Sequence, residues 1–392
     1  MKICQVLTQH NYQAYIVGGC VRDILLGTKP KDFDICTDCS PQRIMEIFPK
    51  TIPTGLQHGT VTVCMGDGVE NHFEVTTFRV EGEYLDGRRP EQVKFVNNIT
   101  EDLARRDLTI NAMAYDPVNH IGCDPFNGWQ DLQDHIIRAV GNPVERFQED
   151  GLRIMRVARF AARFNYQVEP NTLQGMKDSI ETLKKVSKER ISDELRKILM
   201  SKKSTYGLLI LSKCGALPII CPILAQGQGT ITDECQGELE TKLALLYSKH
   251  PVQSVEKELN SLKMSNKEIK RVVFLLHTAE HYLRWVNGEV SYPTFMARIK
   301  NDAPDHWEHT LKQFIELTEA VGLPAKALLY IYQGVIVYAR KELAINGDDL
   351  IAQGVKPGPN LKILLDSCYS EVLERPKNNN KEYLLQFCLS IV

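Results

Sequence analysis

The sequence predicts an α+β protein, a small head with a mixed, mostly antiparallel sheet followed by an all-α remainder. Three observations predict it. Roughly the first 140 residues mix short β-type runs with helices, helical spacing takes over from about residue 143, and the composition is ordinary for a globular chain.

In the head, YIVGG (15–19), DFDICT (32–37), GTVTVCM (59–65), HFEVTTFRV (72–80) and VKFV (93–96) are rich in β-branched and aromatic residues. Between the first two, VRDILLG (21–27) reads as a short amphipathic helix closed by Gly27. No long helical pattern separates the runs from 59 to 96, so antiparallel pairing is expected there. Beyond 143, EDGLRIMRVARFAARF (149–164) and SKERISDELRKILM (187–200) repeat apolar residues at helical spacing. RPKNNNKEY (375–383) reads as a polar loop, and no internal repeat interrupts the pattern.

The chain has 392 residues, 43% hydrophobic and 24% charged, enough for two or more domains. No apolar run approaches about 18 residues, and the N-terminal stretch lacks a signal-peptide pattern, so a cytoplasmic location is expected. The eleven cysteines are then expected to be reduced. Cys36 and Cys39 have zinc-like spacing but no second pair, and read as free thiols beside a strand end. With a formal net charge of −2, a nucleic-acid partner would be held by a local basic surface.

The most informative segment is YIVGGCVRDILLGTKPKDFDI (15–35). A strand, Gly18-Gly19 and a helix make a turn where backbone approaches a ligand and helix N–H groups face an anion. It is not a Walker A loop, whose GxxxxGK[ST] pattern is missing. Arg22 and Asp23 fall on the first turn of the helix. Asp32 and Asp34, read as one strand, share a face, and two such carboxylates repel unless a divalent ion lies between them. Mg²⁺ accepts such carboxylates while keeping positions for phosphate oxygens. Glu74, between Phe73 and Val75, offers a third. The set suits in-line phosphoryl transfer with two Mg²⁺ ions. Alone, Asp-x-Asp is more often a solvated strand face; the ordered combination is far rarer.

That combination resembles motif A of class II tRNA nucleotidyltransferases and bacterial poly(A) polymerases, in the DNA polymerase β superfamily. RRDLTINA (105–112) resembles motif B, DPFNGWQDL (124–132) motif C, EDGLRIMR (149–156) motif D and ERISDEL (189–195) motif E, in family order. A weaker resemblance to Gram-positive CCA-adding enzymes continues around ELAINGDDLI (342–351). It implies Asp32, Asp34 and Glu74 as catalytic, with Asp32 and Asp34 as metal ligands. It implies Gly18, Gly19, Arg22, Asp23, Arg106, Asp107 and Asn111 at triphosphate and ribose. The domains it implies are a catalytic head (1–142), a neck with the nucleotide-selecting pocket (143–210), a body (211–300) and a tRNA-binding tail (301–392).

Glu149, Asp150 and Arg153 fall in a pattern read as helical, with 149/153 and 150/153 on one face. Cytosine and adenine both present an amino donor beside a ring-nitrogen acceptor, which a carboxylate and a guanidinium satisfy together. Uracil and guanine would leave those groups unpaired. A pocket for CTP and ATP follows, and exchanging the two charges should in principle favour UTP and GTP. The resemblance implies the same role, adds Arg156 to the base-selecting group, and places Arg190 and Glu194 of motif E in support. Beyond Arg156, Arg159 and Arg163 suit either neck carboxylates or RNA phosphates. Lys184, Lys185, Lys188, Lys202 and Lys203 suit solvated faces at least as well.

RVEGEYLDGRRPEQ (79–92) is polar and expected to be mobile; in the family a full-length loop here accompanies addition of A. Cys20, Asn127 and Gly151 depart from the usual family residues. No His-Asp doublet occurs, so an HD phosphohydrolase domain is not expected. The expected function is CCA addition to the 3′ end of tRNA from CTP and ATP, the tRNA being held at its acceptor stem and elbow. A-only addition, poly(A) synthesis and non-catalytic RNA binding remain as alternatives.

Overall fold

The computed structural model describes residues 2–68, 71–81, 93–227, 233, 235, 237–304, 306–320 and 338–391. The chain divides into two compact units, Met1–Ala225 and Gln226–Val392.

In the first unit the chain opens with α1 (Lys2–Gln9), β1 (Ala14–Val17), α2 (Gly19–Leu25), β2 (Asp34–Thr37) and α3 (Pro41–Ile47). Strands β3 (Thr51–Gly55), β4 (Thr60–Cys64), β5 (His72–Thr77), β6 (Arg79–Glu81) and β7 (Val93–Phe95) follow. Then come α4 (Ile99–Ala104), a 3₁₀ turn over Thr109–Asn111, β8 (Ala114–Asp116), β9 (Ile121–Cys123) and α5 (Gly128–Gln133). Seven strands form one sheet in the order β3-β4-β5-β2-β1-β8-β9. Its ladders are antiparallel except β2 with β5, which run parallel with Ile35 opposite Val75. β6 and β7 pair separately and antiparallel; residues 82–92 of the expected loop lie outside the described residues.

The side-chain alternation of strands sends Val17, Asp34, Cys36, Glu74 and Thr76 to one face of this sheet. There Val17 and Cys36 pack with Ile99 and Leu103 of α4 and with Phe78, Ala112, Ala114 and Val140. These central strands are thus backed by α4, whose Asp102 accepts from the Cys36 thiol at 3.8 Å.

Strand β10 (Ile136–Ile137), α6 (Pro143–Glu149), α7 (Leu152–Phe164), β11 (Gln167–Val168), α8 (Pro170–Asp178), α9 (Lys188–Leu199) and α10 (Ser204–Lys213) complete the part of this unit that concerns the site. α7 packs on α9 and α10. Three expectations need correction. Asp32 precedes β2 rather than lying in it. Gln167–Val168 pairs in parallel with Ile136–Ile137, a short β element in the region read as helical. The run 149–164 is not one helix: α6 ends at Glu149, Asp150 is extended (φ −144°, ψ 106°), and α7 begins at Leu152.

The second unit is helical in its described residues, with Leu239–Tyr247, Val252–Ser261, Asn266–Val286, Tyr292–Asp302 and Trp307–Ala320 followed by Gly347–Ala352, Pro359–Glu374 and Lys381–Ser390. Tyr282, Trp285, Phe295 and Phe314 form an aromatic core among its earlier helices. Ile345, Leu350, Leu364, Cys368, Val372, Leu384 and Cys388 form another. The polar stretch 375–383 is partly ordered as a 3₁₀ turn over Pro376–Asn378, and Asn380 caps the last helix by accepting from the Tyr383 N–H. Among the described residues no helix is long and apolar enough to cross a membrane.

Candidate active site

Cavities of two kinds open on the sheet among the described residues. The larger, about 1090 Å³, is lined by Ile16, Ile35, Phe73, Leu25 and Trp129, on the face opposite Asp34, and is mostly apolar. The smaller, about 220 Å³, is lined by Val17, Asp34, Cys36, Thr60, Glu74, Thr76, Arg79, Arg105 and Arg106. Chemistry favours the smaller one. It joins two carboxylates from neighbouring parallel strands to three guanidiniums, whereas the large cavity carries a single carboxylate, Asp124.

Asp34 stands at the start of β2, open to solvent on one side. Burial against the cleft wall raises its carboxyl above the ordinary value, Arg106 pulls it down, and nearby Asp32 raises it again. Glu74, exposed on β5, faces the same cleft. Among the described residues no three acidic, His or Cys side chains stand close enough to hold a metal ion unaided. Burial and the neighbouring Asp102 push the Cys36 thiol up to about 12, so it stays protonated and the ionised donors are carboxylate oxygens. Such a donor set suits a hard cation that draws its remaining ligands from water and substrate phosphate.

The glycine turn is built for close approach. Gly18 has φ 75°, and a Cβ there would stand 2.6 Å from Arg106 Nη1. Arg22, expected at the triphosphate, is 4% exposed and committed internally. Its Nε and Nη2 donate to Asp23 Oδ1 at 2.9 and 2.7 Å, and its Nη1 donates to Asn111 Oδ1. Arg22 therefore orients Asp23 and Asn111. Asn111, on the 3₁₀ turn Thr109–Asn111, also donates to Asp107 Oδ1 at 3.4 Å.

Asp107 accepts from Arg156 Nε at 2.6 Å. Burial works against its charge, but the Arg156 guanidinium outweighs it and holds the carboxyl at about 2. Arg159 pairs with Glu194 at 3.1 Å, while Arg163, half exposed, reaches Asp23 at 3.8 Å. The Arg159 alternative is thereby decided in favour of a neck carboxylate. Phe160 and Phe164 stack in parallel, with Arg22, Arg156 and Arg159 over Phe160 and Arg22 and Arg163 over Phe164.

The side chains of Asp150 and Arg153 turn to different partners, although the Arg153 backbone N–H donates to the Asp150 carbonyl at 3.0 Å. Arg153 Nη1 donates to Glu149 and to the Arg146 carbonyl, and Nη2 donates to the Arg105 carbonyl at 3.0 Å. Asp150 accepts from Arg190 at 2.6 and 3.3 Å and from the Leu152 N–H at 3.0 Å. Glycine is required between the helices: a Cβ at Gly151 would lie 2.7 Å from the Thr182 carbonyl. Asn127 of motif C takes the left-handed conformation (φ 57°), which Asn tolerates, so it replaces the usual Gly at small cost. Two residues escaped the sequence reading. Gly128 lies against the Thr109 carbonyl, and Asp102 anchors Arg105 and Arg106. The signal for Asp102 was an acid three and four positions before two arginines.

Comparison with known proteins places this site in a family. The family described as "Poly A polymerase head domain" matches residues 14–138, "Probable RNA and SrmB- binding site of polymerase A" matches 165–227, and "tRNA nucleotidyltransferase domain 2 putative" matches 235–388. The CCA-adding enzyme of Limosilactobacillus fermentum is 35% identical over 393 residues, covering 97% of this chain and 93% of the relative. That of Limosilactobacillus reuteri is 36% identical over 399 residues, covering 98% and 94%. Among solved structures, the Bacillus stearothermophilus CCA-adding enzyme in complex with CTP superposes with a TM-score of 0.76 at 30% identity, covering 99% of this chain and 95% of that one. With identity and coverage this extensive, the chain belongs to the CCA-adding enzymes, the nucleotidyltransferases that complete the 3′ end of tRNA.

Proposed function

We propose that this CCA-adding enzyme carries out its three transfers in the cleft of Asp34 and Glu74, with Asp32 at its edge. The juxtaposition of these carboxylates with Arg105 and Arg106 carries the reading. Asp32 and Asp34, with Glu74, would hold Mg²⁺, which supplies charge neutralisation at the α-phosphate and acidifies the attacking hydroxyl. Arg106 takes the triphosphate, with Gly18 leaving room for it. Asn111 and Asp107, oriented by Arg22 and Arg156, take the ribose hydroxyls.

Asp150 and Arg153 read the base edge. Arg190 holds Asp150 from behind, and reading with Arg153 exchanges one of its internal contacts for a ring nitrogen. The CTP in the Bacillus stearothermophilus complex supports extending nucleotide binding to this chain. We place the tRNA against the helical neck, body and tail (143–210, 211–300 and 301–392), and the work itself in the cytoplasm.

The test uses tRNA transcripts ending at the discriminator base, at C and at CC, supplied with CTP, ATP or both and with Mg²⁺, the products being sequenced. Full CCA on the shortest transcript is expected, and extension of only the CC-ending transcript would make the chain an A-adding enzyme. Asp34→Ala is expected to abolish incorporation while tRNA affinity changes little. A variant that still incorporates would remove the proposed centre.

A further inference from the structure

The buried acid of α4 has no part in the reaction as described above, yet it holds more of the cleft than any catalytic residue. Asp102 is fully buried. Its Oδ1 accepts from Arg105 Nε at 3.0 Å, Arg105 Nη2 at 2.9 Å and the Arg79 N–H at 3.3 Å. Its Oδ2 accepts from Arg106 Nη2 at 3.4 Å and from the Cys36 thiol at 3.8 Å. One carboxylate thus joins α4 to β6, to β2 and to the guanidiniums of two of the three arginines that line the cleft.

We propose that Asp102 is a positioning residue for nucleotide binding, fixing the Arg106 guanidinium toward the triphosphate and the Arg105 turn toward the base-reading helix. The proposal rests on the reading of the cleft given above. A free arginine samples many rotamers, and each must be frozen when the nucleotide binds. Here Arg106 Nη2 is tied to Asp102 and Nη1 to the Asn111 carbonyl at 3.4 Å, while its Nε is buried without a partner. Two fixed points and a planar group leave one orientation.

The same turn serves the other end of the nucleotide. The Arg105 carbonyl accepts from Arg153, and the Ala104 carbonyl accepts from Arg146 at 3.1 Å. The C-terminal turn of α4 is therefore a common mount, with phosphate-facing side chains on Asp102 and a base-facing guanidinium on its backbone. Burial alone would raise the Asp102 carboxyl, but Arg105 and Arg106 outweigh it and hold it below the ordinary range, so the anchor stays charged at neutral pH.

The test is Asp102→Asn, which keeps the shape, removes the charge and turns an amide donor toward a guanidinium. Steady-state kinetics on a CC-ending tRNA should show the KM for ATP raised about 10- to 100-fold with kcat altered less than about 3-fold, as for loss of uniform binding. A discriminator-ending tRNA should show the same for CTP, and tRNA affinity should not move. A merely structural acid would instead lower the active fraction, reducing kcat at unchanged KM, and that result would overturn the proposal.

A double-mutant cycle separates the levels. Arg106→Ala should raise KM by itself, and adding Asp102→Asn should then raise it clearly less than Asp102→Asn does alone, the remainder acting through Arg105. Full additivity would overturn the proposal. An unchanged KM in Arg106→Ala would instead sink the reading of the cleft. If Asp102→Asn does not fold, Arg106→Lys carries the test, because it keeps charge but loses the fork. Its KM should rise, and nucleotide binding as in the wild type would show that orientation is irrelevant and overturn the proposal.

Discussion

Gly128→Ala is a small change that should be costly to both stability and catalysis. Gly128 opens α5, and its N–H is fixed by Asp124 Oδ1 at 2.7 Å. An added Cβ would stand 2.2 Å from the Thr109 carbonyl oxygen, 2.8 Å from its carbonyl carbon and 3.0 Å from Met113 Cγ. An ordinary carbon–oxygen contact is about 3.3 Å, so two backbone segments must part by about 1 Å. Neither yields readily, because Thr109 donates its N–H to the Arg138 carbonyl at 3.0 Å and its hydroxyl to Asp131 at 2.6 Å. Overpacking of this kind costs about 1–3 kcal/mol, and contact with backbone rather than a side-chain end puts it near about 3. For a unit of this size the loss corresponds to a Tm lower by about 6–12 °C. Thr109 begins the 3₁₀ turn that carries Asn111, and a displacement near 1 Å there should lower kcat/KM by about 100-fold. Gly122→Ala is the control, since a Cβ there meets nothing within 4 Å. Thermal denaturation followed by circular dichroism and CCA incorporation measure the two effects. If Gly128→Ala melts within about 1 °C of Gly122→Ala, the close approach is not as described and the argument fails.

Two further outcomes follow from the ion pairs of the neck. The Asp107 carboxyl is lowered to about 2, so its contribution is complete above the ordinary carboxylate pKa and is lost as pH falls toward about 2. Denaturant titrations should show about 2 kcal/mol of wild-type stability lost across that window that Asp107→Asn does not lose; parallel profiles would contradict the Arg156 pairing. The exchange Asp150→Arg with Arg153→Asp should disable the enzyme for all four nucleotides, because it sets a guanidinium against Arg190 and a carboxylate against Glu149. Efficient incorporation of UTP or GTP by that variant, read by sequencing the 3′ ends, would mean the two residues act as a self-contained pair.

The sequence carries what is local, and contacts remote in the chain decide the rest. Strands β1, β4 and β5 are visible because β-branched runs there are long enough to alternate. Strand β3 contains Pro53 and lies at the sheet edge, and β8 and β9 have three residues each, so neither propensity nor period marks them. Asp34 and Glu74 are legible as acids among apolar neighbours, but their common cleft depends on a parallel pairing of β2 with β5 that no turn signal announces. The neck is where local reading fails most usefully. Residues 149–164 have helical spacing throughout, and Gly151 in isolation costs such a helix only about 1 kcal/mol, too little to break it. The break lies at Asp150, whose backbone is extended, and the Thr182 carbonyl, which occupies the space a side chain at 151 would need, explains why the next residue is glycine. The consequence is chemical as well as structural. On a continuous helix Asp150 would face Arg153 and neutralise it, whereas extended backbone at 150 hands Asp150 to Arg190 and leaves Glu149 to Arg153. A carboxylate and a guanidinium each satisfied from behind, but not by one another, can both turn toward a base. On the proposed reading, the glycine in motif D, which weakens the helix, would thereby serve nucleotide selection.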